Sequence, residues 1–455
     1  MIQVNNPLQK GTLETNYLPL NSHLNENLNL DNQTTYLLSL LSISLLSRAS
    51  VSSSGIEANG DSKQSVVSGN GRYIAFTSNA TNLVDNDTNG VSDIFLRDRI
   101  KGITRRISVA SDGTQANQNS FNPSISADGR FITFISDADN LVSGDNNKLA
   151  DVFLYDTTND IVKQISPPRE ALPPFTPTPT SSPVVSSALS ASISPNGRYI
   201  AFSLLNFSSA KTAIVEYNRD DIYVYDYDTG ITKNITSATP GGKHNNFFIA
   251  NDGTVVYDKR QSINYSVSRP SASFIYNPQT QTTTLIAGLP QQLFQGLNTE
   301  VNSITSDGKF AVVNSELNNL VREDTNNAAD IFVYDIANKT FRLASTNSNS
   351  KQGNSSSFLG AISGNGRFLA FSSTASNLVS NDTNGVEDIF VKNLTTGRTE
   401  RVSSNIFGKQ SNGRSFAVSV SDDGHVVTYS SDAKNLIRND TNNKTDIFTA
   451  RGFFL

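Results

Sequence analysis

A turn signal, Asn-Gly or Asp-Gly, stands in one recurring hairpin context seven times along the chain. It stands in SGNGRYIAF (68–76), SADGRFITF (126–134), SPNGRYIAF (194–202), ANDGTVVY (250–257), TSDGKFAVV (305–313), SGNGRFLAF (363–371) and SDDGHVVTY (421–429). Each copy follows a short alternating run and precedes a β-branched or aromatic run. Such a pair between two such runs is the strongest short-range hairpin signal, because a type I′ turn needs positive φ at both central residues.

A longer loop follows each hairpin. It is usually succeeded by a strand such as DIFLRD (93–98), DVFLYD (151–156), DIYVYD (221–226), DIFVYD (330–335), DIFVKN (388–393) or DIFTAR (446–451). A tight turn and a fourth run close the unit, as in ITRRIS (103–108), IVKQIS (161–166), ITKNIT (231–236), FRLAS (341–345) and RTERVS (398–403). Four antiparallel strands repeated seven times predict an all-β, seven-bladed β-propeller.

The spacing also predicts how the ring closes. Ser108 to Ser126, Ser345 to Ser363 and Ser403 to Ser421 are each 18 positions, whereas unit seven ends without its fourth strand. Counting back 18 positions from Ser68 lands on Ser50, at the end of ISLLSRAS (43–50). That segment is the expected outer strand of blade seven, supplied from the N-terminus to remove the two free edges of an open ring. The propeller is therefore expected over 36–455. A polar, Asn-rich tail is expected over 1–35, and a Pro-rich insertion over 167–192, most concentrated in PPREALPPFTPTPTSSP (167–183).

Composition narrows the partners. Charged residues are 17% of the 455 and the formal net charge is −5. The first value is below the usual ~25%. No basic face for a nucleic acid is expected, nor a polybasic membrane contact. With no cysteine, disulfides and thiolate metal sites are excluded. LLSLLSISLL (37–46) is too short to span a bilayer. It lacks the flanks of a clear signal peptide, so no membrane insertion is expected.

The pattern S-x-[DN]-G-R-[YF]-[IL]-A-F-x-S, then N-L-V, D-T-N-G-x-x-D-[IV]-F and T-G-x-T-x-R-[IV]-S resembles the TolB-like (WD40-like) β-propeller repeat over about 43–455. The resemblance implies an extracytoplasmic protein, periplasmic or secreted. It embraces binding propellers and the propellers of prolyl-oligopeptidase-like enzymes. TolB itself has six blades and an N-terminal α/β domain, which this chain does not repeat. No G-x-S-x-G nucleophile elbow occurs.

DNDTNGVSDIF (85–95) has the look of a calcium loop. Asp93, Asp151, Asp330, Asp388 and Asp446 each lie 25 positions after the first residue of the hairpin turn, and Asp87, Asp145, Asp324, Asp382 and Asp440 match within the loop. Where the first copy has Asp85, the others have Ser143, Arg322, Ser380 and Arg438. Two readings follow. The Asp and Asn side chains bond their own backbone in a tight turn, or they ligate calcium, for which Asp85, Asp87, Asn89 and Asp93 are the best candidates. The connectors repeat Asn59, Asn117, Asn354 and Asn412, then Ser62, Ser120, Ser357 and Ser415. They read as hydrogen-bonding ties, or as a polar ring at the channel mouth.

Regularity fails around blade four, where DKRQSINYSVSRP (258–270) replaces the Asp loop and the connectors 237–248 and 287–298 fit no repeat. His244, Phe247, Lys259, Arg260, Tyr265 and Arg269 form the candidate ligand-binding patch. The other histidines are His23 and His425, the latter at a hairpin position held by Arg elsewhere, so no catalytic constellation emerges. The expected function is a non-catalytic binding or scaffold module for a protein or glycan ligand, with no cofactor unless calcium. The alternative is a hydrolase or lyase acting on saccharide or lactone bonds, perhaps with calcium.

Overall fold

The computed structural model describes residues 46–145, 147–166, 184–208, 219–236, 244, 246–260, 271–288 and 298–451. The 1–35 tail, the 167–183 stretch, Tyr265 and Arg269 lie outside the described residues. The remainder of the expected insertion, from 184, belongs to the strand Val184–Ile193.

Seven four-stranded antiparallel sheets form the propeller, with no helix among the described residues. Blade one consists of Ser62–Val67, Tyr73–Ser78, Asp93–Asp98 and Ile103–Arg106 in that spatial order. Blades two to six repeat it over 120–164, 184–234, 247–287, 299–343 and 357–401. Blade seven takes three strands from 415–451, and Leu46–Arg48 adds the fourth. That closing strand pairs in register as Leu46↔Ala450, Ser47↔Thr449 and Arg48↔Phe448.

The hairpins form where expected, but with another turn. Gly71 has φ 69° and Asn70 is not left-handed, so only one residue takes the conformation that favours glycine. The Gly71 N–H donates to the Ser68 carbonyl at 2.8 Å, and the Ser68 N–H to Tyr73 at 2.9 Å, a four-residue loop in place of type I′. Asn70 Oδ1 accepts from the Arg72 N–H at 2.9 Å and from Ser68 Oγ at 2.7 Å, which explains the acidic or amide residue before the glycine. Arg72 then reaches Asp98 at the end of the third strand, 2.6 Å away. Arg130–Asp156 and Arg198–Asp226 repeat the pair.

Between blades the cores are aromatic. Phe76 and Phe95 stack at 5.8 Å, Phe134 and Phe153 at 5.7 Å, Phe371 and Phe390 at 5.8 Å, and Tyr429 and Phe448 at 6.0 Å. Each pair joins the second and third strands at one register position. Such stacks contribute about 1 kcal/mol each beyond area burial.

At the hairpin end a belt of hydrogen bonds runs around the axis. Asp422 N–H donates to Gly69, Asn70 to Ala127, Ala127 to Pro195, Asn251 to Ser306, Ser306 to Gly364 and Asn365 to Asp422. The remaining gap is bridged by the Asn196 N–H donating to Asn251 Oδ1 at 2.7 Å. The ring is thus closed twice, by the outer strand of blade seven and by this inner belt.

Candidate functional site

The loops between second and third strands and the connectors between blades share one face. Gln115 of a connector donates to Thr88 of the blade-one loop at 2.7 Å, and Gln410 to Thr383 at 2.7 Å in blade six. The repeated connector asparagines tie this face together. Asn59 Oδ1 accepts from the Thr81 N–H at 2.8 Å, and Asn354 and Asn412 do the same with Ser376 and Lys434 at 2.9 Å. The repeated serines bond across the first two strands, as Ser62 does to Ser78 at 2.9 Å. Both sets are engaged in structural bonds.

The Asp loops have two left-handed residues in their first copy, Asn86 (φ 57°) and Gly90 (φ 69°), so the amide and the glycine serve the turn. Asp93 is fully buried. Its Oδ1 accepts from Ser108 Oγ at 2.5 Å and its Oδ2 from Asn89 Nδ2 at 2.9 Å. Between Asp87 and Asp93 stands Arg106 of the fourth strand, 3.0 Å from Asp87 Oδ1 and 3.6 Å from Asp93 Oδ2. A guanidinium therefore sits between two of the candidate calcium ligands, and Asp85 is exposed. Burial pushes both the Asp87 and Asp93 carboxyls up, and Arg106 opposes the shift. Blade six repeats the arrangement with Arg401, and blade seven with Arg48. The spacing Arg-x-Ser in RIS (106–108), RVS (401–403) and RAS (48–50) was the signal for this partner. Among the described residues no three His, Cys, Asp or Glu groups gather in a metal-holding cluster.

Of the patch around blade four, the structure brings only part to the loop face. His244 is 2% exposed, its Nδ1 2.7 Å from the Asp220 carbonyl and its ring edge-on to Tyr257. Phe247 is 3% exposed, inside the core between blades three and four. Both are interior because blade four's short first strand, Phe247–Ile249, packs directly on blade three. Lys259 and Arg260 end the strand Val255–Arg260 and are half-buried.

Arg260 leads to a cleft that the repeat pattern does not mark. Its guanidinium donates to Glu300 Oε1 at 2.8 Å, and Glu300 lines a cavity of about 250 Å³ with Asn302, Asn314, Phe358, Glu387 and Arg414. Arg414 Nε donates to Glu387 Oε2 at 2.6 Å, and its guanidinium lies 4.4 Å from the Phe416 ring centroid. Leu359, 44% exposed with φ 50°, is presented on the rim by a bulge in the first strand of blade six. Blades five, six and seven thus contribute two engaged carboxylates, two amides and apolar surface to one wall. The legible trace was small: Glu387 and Arg414 replace Ser92, Ala150, Ala329 or Thr445, and Asp61, Asn119 or Ser356, at the matching positions.

At the opposite end of the axis a cavity of about 140 Å³ has Asp422 as its one charged lining residue. Its Oδ1 accepts from Ser306 Oγ at 3.2 Å, and burial raises its carboxyl. A Cβ on Gly69 or Gly364 would fall 2.2 Å from this carboxylate, so both glycines make room for it.

No protein-family model and no curated protein matches the sequence. Solved structures do match the fold. The β-propeller domain of the Trilobed protease from Pyrococcus furiosus, described as having an open velcro topology, aligns with a TM-score of 0.52 at 11% identity, over 86% of this chain and 96% of that one. Acylaminoacyl peptidase from Pyrococcus horikoshii aligns at 0.51 and 10%, over 86% of this chain and 51% of that one. A puromycin-hydrolyzing peptidase of Mycobacterium tuberculosis aligns at 0.52 and 9%, over 89% and 54%. The chain spans about half the length of these two peptidases. At such identities the likeness is one of fold alone.

Proposed function

We propose that the chain is a non-catalytic binding or scaffold propeller that recognises a protein or glycan ligand at its loop face. The observation that carries this reading is the cleft of blades five to seven. Its carboxylates, Glu300 and Glu387, are each engaged by an arginine, and Asn302 and Asn314, held by Gly360 and by the Asp330 and Ser357 carbonyls, place the Asn302 Nδ2 and the Asn314 Oδ1 beside exposed Leu359. Polar groups that fix orientation next to apolar surface suit recognition. A hydrolase or lyase needs a carboxylate free to move a proton, and both carboxylates here already hold a guanidinium. An extracytoplasmic location, implied by the repeat resemblance, belongs to the same reading.

The test is a glycan array and a displayed peptide library probed with the full chain. Hits should weaken at least tenfold, about 1.4 kcal/mol, on Arg414→Ala with Asn302→Ala, and be unchanged by Asp422→Asn at the other end. Binding indifferent to the cleft substitutions, or turnover of a saccharide or lactone by the wild type, would overturn the proposal.

A further inference from the structure

Five blades carry the same pair of loop-face carboxylates, but among the described residues only three supply it with an internal cation. Arg106, Arg401 and Arg48 stand opposite the third-strand phenylalanine in register, as Phe95↔Arg106, Phe390↔Arg401 and Arg48↔Phe448. Arg401 lies 3.1 Å from Asp382 and 3.7 Å from Asp388. Arg48 lies 3.7 Å from Asp440 and 3.3 Å from Asp446. At the same register position blade two has Gln164 and blade five has Leu343. The carboxylates Asp145 with Asp151 and Asp324 with Asp330 are retained. Asp145 is 8% and Asp324 6% exposed, and the Oδ2 of each has no hydrogen-bond partner.

Two buried carboxylates without a counter-charge are costly, and such groups are paired, neutralised or bound to a metal. Among the described residues the hydrogen-bond partners beside each pair are hydroxyls, backbone N–H groups and side-chain amides. In blade two, Asp151 Oδ1 already accepts from Ser166 and its Oδ2 from Asn147 Nδ2 at 2.7 Å, which leaves Asp145 as the open ligand. In blade five the connector glutamine reports the missing charge. Gln115 and Gln410 turn Oε1 toward their arginines at 2.9 and 3.0 Å, whereas Gln352 turns Nε2 to Asp324 Oδ1 at 2.8 Å and Asp330 Oδ2 at 2.7 Å. A cation there would reverse that amide and gain its oxygen. Two carboxylates on an irregular loop, joined in blade five by the Gln352 amide oxygen and completed by water, suit calcium, which accepts six to eight oxygens in flexible geometry. Magnesium demands a near-ideal octahedron.

We propose that the carboxylate pairs of blades two and five, Asp145 with Asp151 and Asp324 with Asp330, each bind a calcium ion in the position that an arginine occupies in blades one, six and seven. The inference is independent of the loop-face ligand.

The experiment is calorimetric titration of chelator-stripped full chain with calcium chloride alone, paired with melting curves. Two ions per chain and a rise in Tm that chelator reverses are expected. Leu343→Arg and Gln164→Arg, which install the missing guanidinium, should each remove one ion, and together both. Their Tm in chelator should exceed that of the wild type. If either arginine variant fails to fold, Asp324→Asn and Asp145→Asn must produce the same stoichiometries. Absence of calcium binding, two ions persisting in the double variant, loss of binding on Asp85→Asn, or equal binding of magnesium would overturn the proposal.

Discussion

Replacing Arg48 by leucine tests both the ring closure and the carboxylate clamp, because that one side chain belongs to both. Arg48 is on the closing strand, its side chain is 4% exposed, and it is 2.5 Å from Glu57, 3.3 Å from Asp446 and 3.7 Å from Asp440. The side chains of Asp440 and Asp446 are 3% and 0% exposed. Removing one member of a buried ion cluster leaves charge stranded and costs about 3–5 kcal/mol. Leucine is the natural choice because Leu343 fills the matching place in blade five. With an unfolding entropy of about 2.1 cal/mol/K per residue over roughly 400 residues, 3 kcal/mol lowers Tm by about 4 °C. The pH dependence gives the mechanism. Burial raises the carboxyls of Asp440 and Asp446, and Arg48 opposes that rise. Without Arg48 their folded-state values climb further above the unfolded ones. Stability is then held below the unfolded carboxylate range and lost as pH rises through the raised folded values. The deficit of Arg48→Leu should therefore be full at pH 7 and small near pH 4. Tyrosine fluorescence and far-UV circular dichroism across that range supply the measurement. A loss of equal size at pH 4 and pH 7 would show that packing, not charge, is what Arg48 contributes, and a loss under about 1 kcal/mol would refute the clamp.

Gly424 has φ 78°, and a Cβ there would meet the Phe368 ring at 2.1 Å, so Gly424→Ala should cost about 2 kcal/mol or more by urea denaturation. Gly408, with φ 75° and no atom within 4 Å of its Cβ position, isolates the backbone part, and Gly408→Ala should cost about 1 kcal/mol. Equal losses would refute the ring contact. Asp258 is buried, accepts from the Val301 N–H at 2.7 Å, and is pushed well above 3.8 by that burial. Its neutral form is the one the fold favours, so stability should fall as pH rises through its raised value. Asp258→Asn should flatten that fall in Tm against pH, and an unchanged slope would count against it.

The architecture was legible because each element announces itself locally and then repeats. The Asn-Gly and Asp-Gly turns, the Asp-Ile-Phe strands and the 18-position spacing each depend on a few neighbouring residues. The spacing alone located the closing strand within ISLLSRAS, where Leu46–Arg48 pairs with blade seven. The turn type was misread because Ser68 and Asn70 side chains take over bonds that a two-residue turn would make through backbone. The site was far less legible. Arg106 reaches Asp87 from 19 positions away, through a register that exists only once the sheet is formed. The cleft draws on Arg260, Glu300, Glu387 and Arg414, spread over four blades, and no local pattern links them. His244 and Phe247 stood out as departures from the repeat, yet their departure serves the interior of blades three and four.

That contrast bears on how a repeat array acquires a function. Closure by the outer strand and by the belt at residues 69, 127, 195, 251, 306, 364 and 422 fixes the angular place of every blade. A change at one position then alters one blade without shifting the others, since the apolar core of each blade is shared with its neighbours. The fourth-strand position of blades one, two, five, six and seven illustrates this, with Arg106, Gln164, Leu343, Arg401 and Arg48 in a common register. The backbone hydrogen bonds persist in all five. The charge balance does not: among the described residues three blades neutralise their carboxylates from within, and two leave an oxygen of Asp145 or Asp324 unmatched. A buried, unpaired aspartate is costly. Asp145 and Asp324 opposite Gln164 and Leu343 are the arrangement that a positive charge supplied from solution would complete.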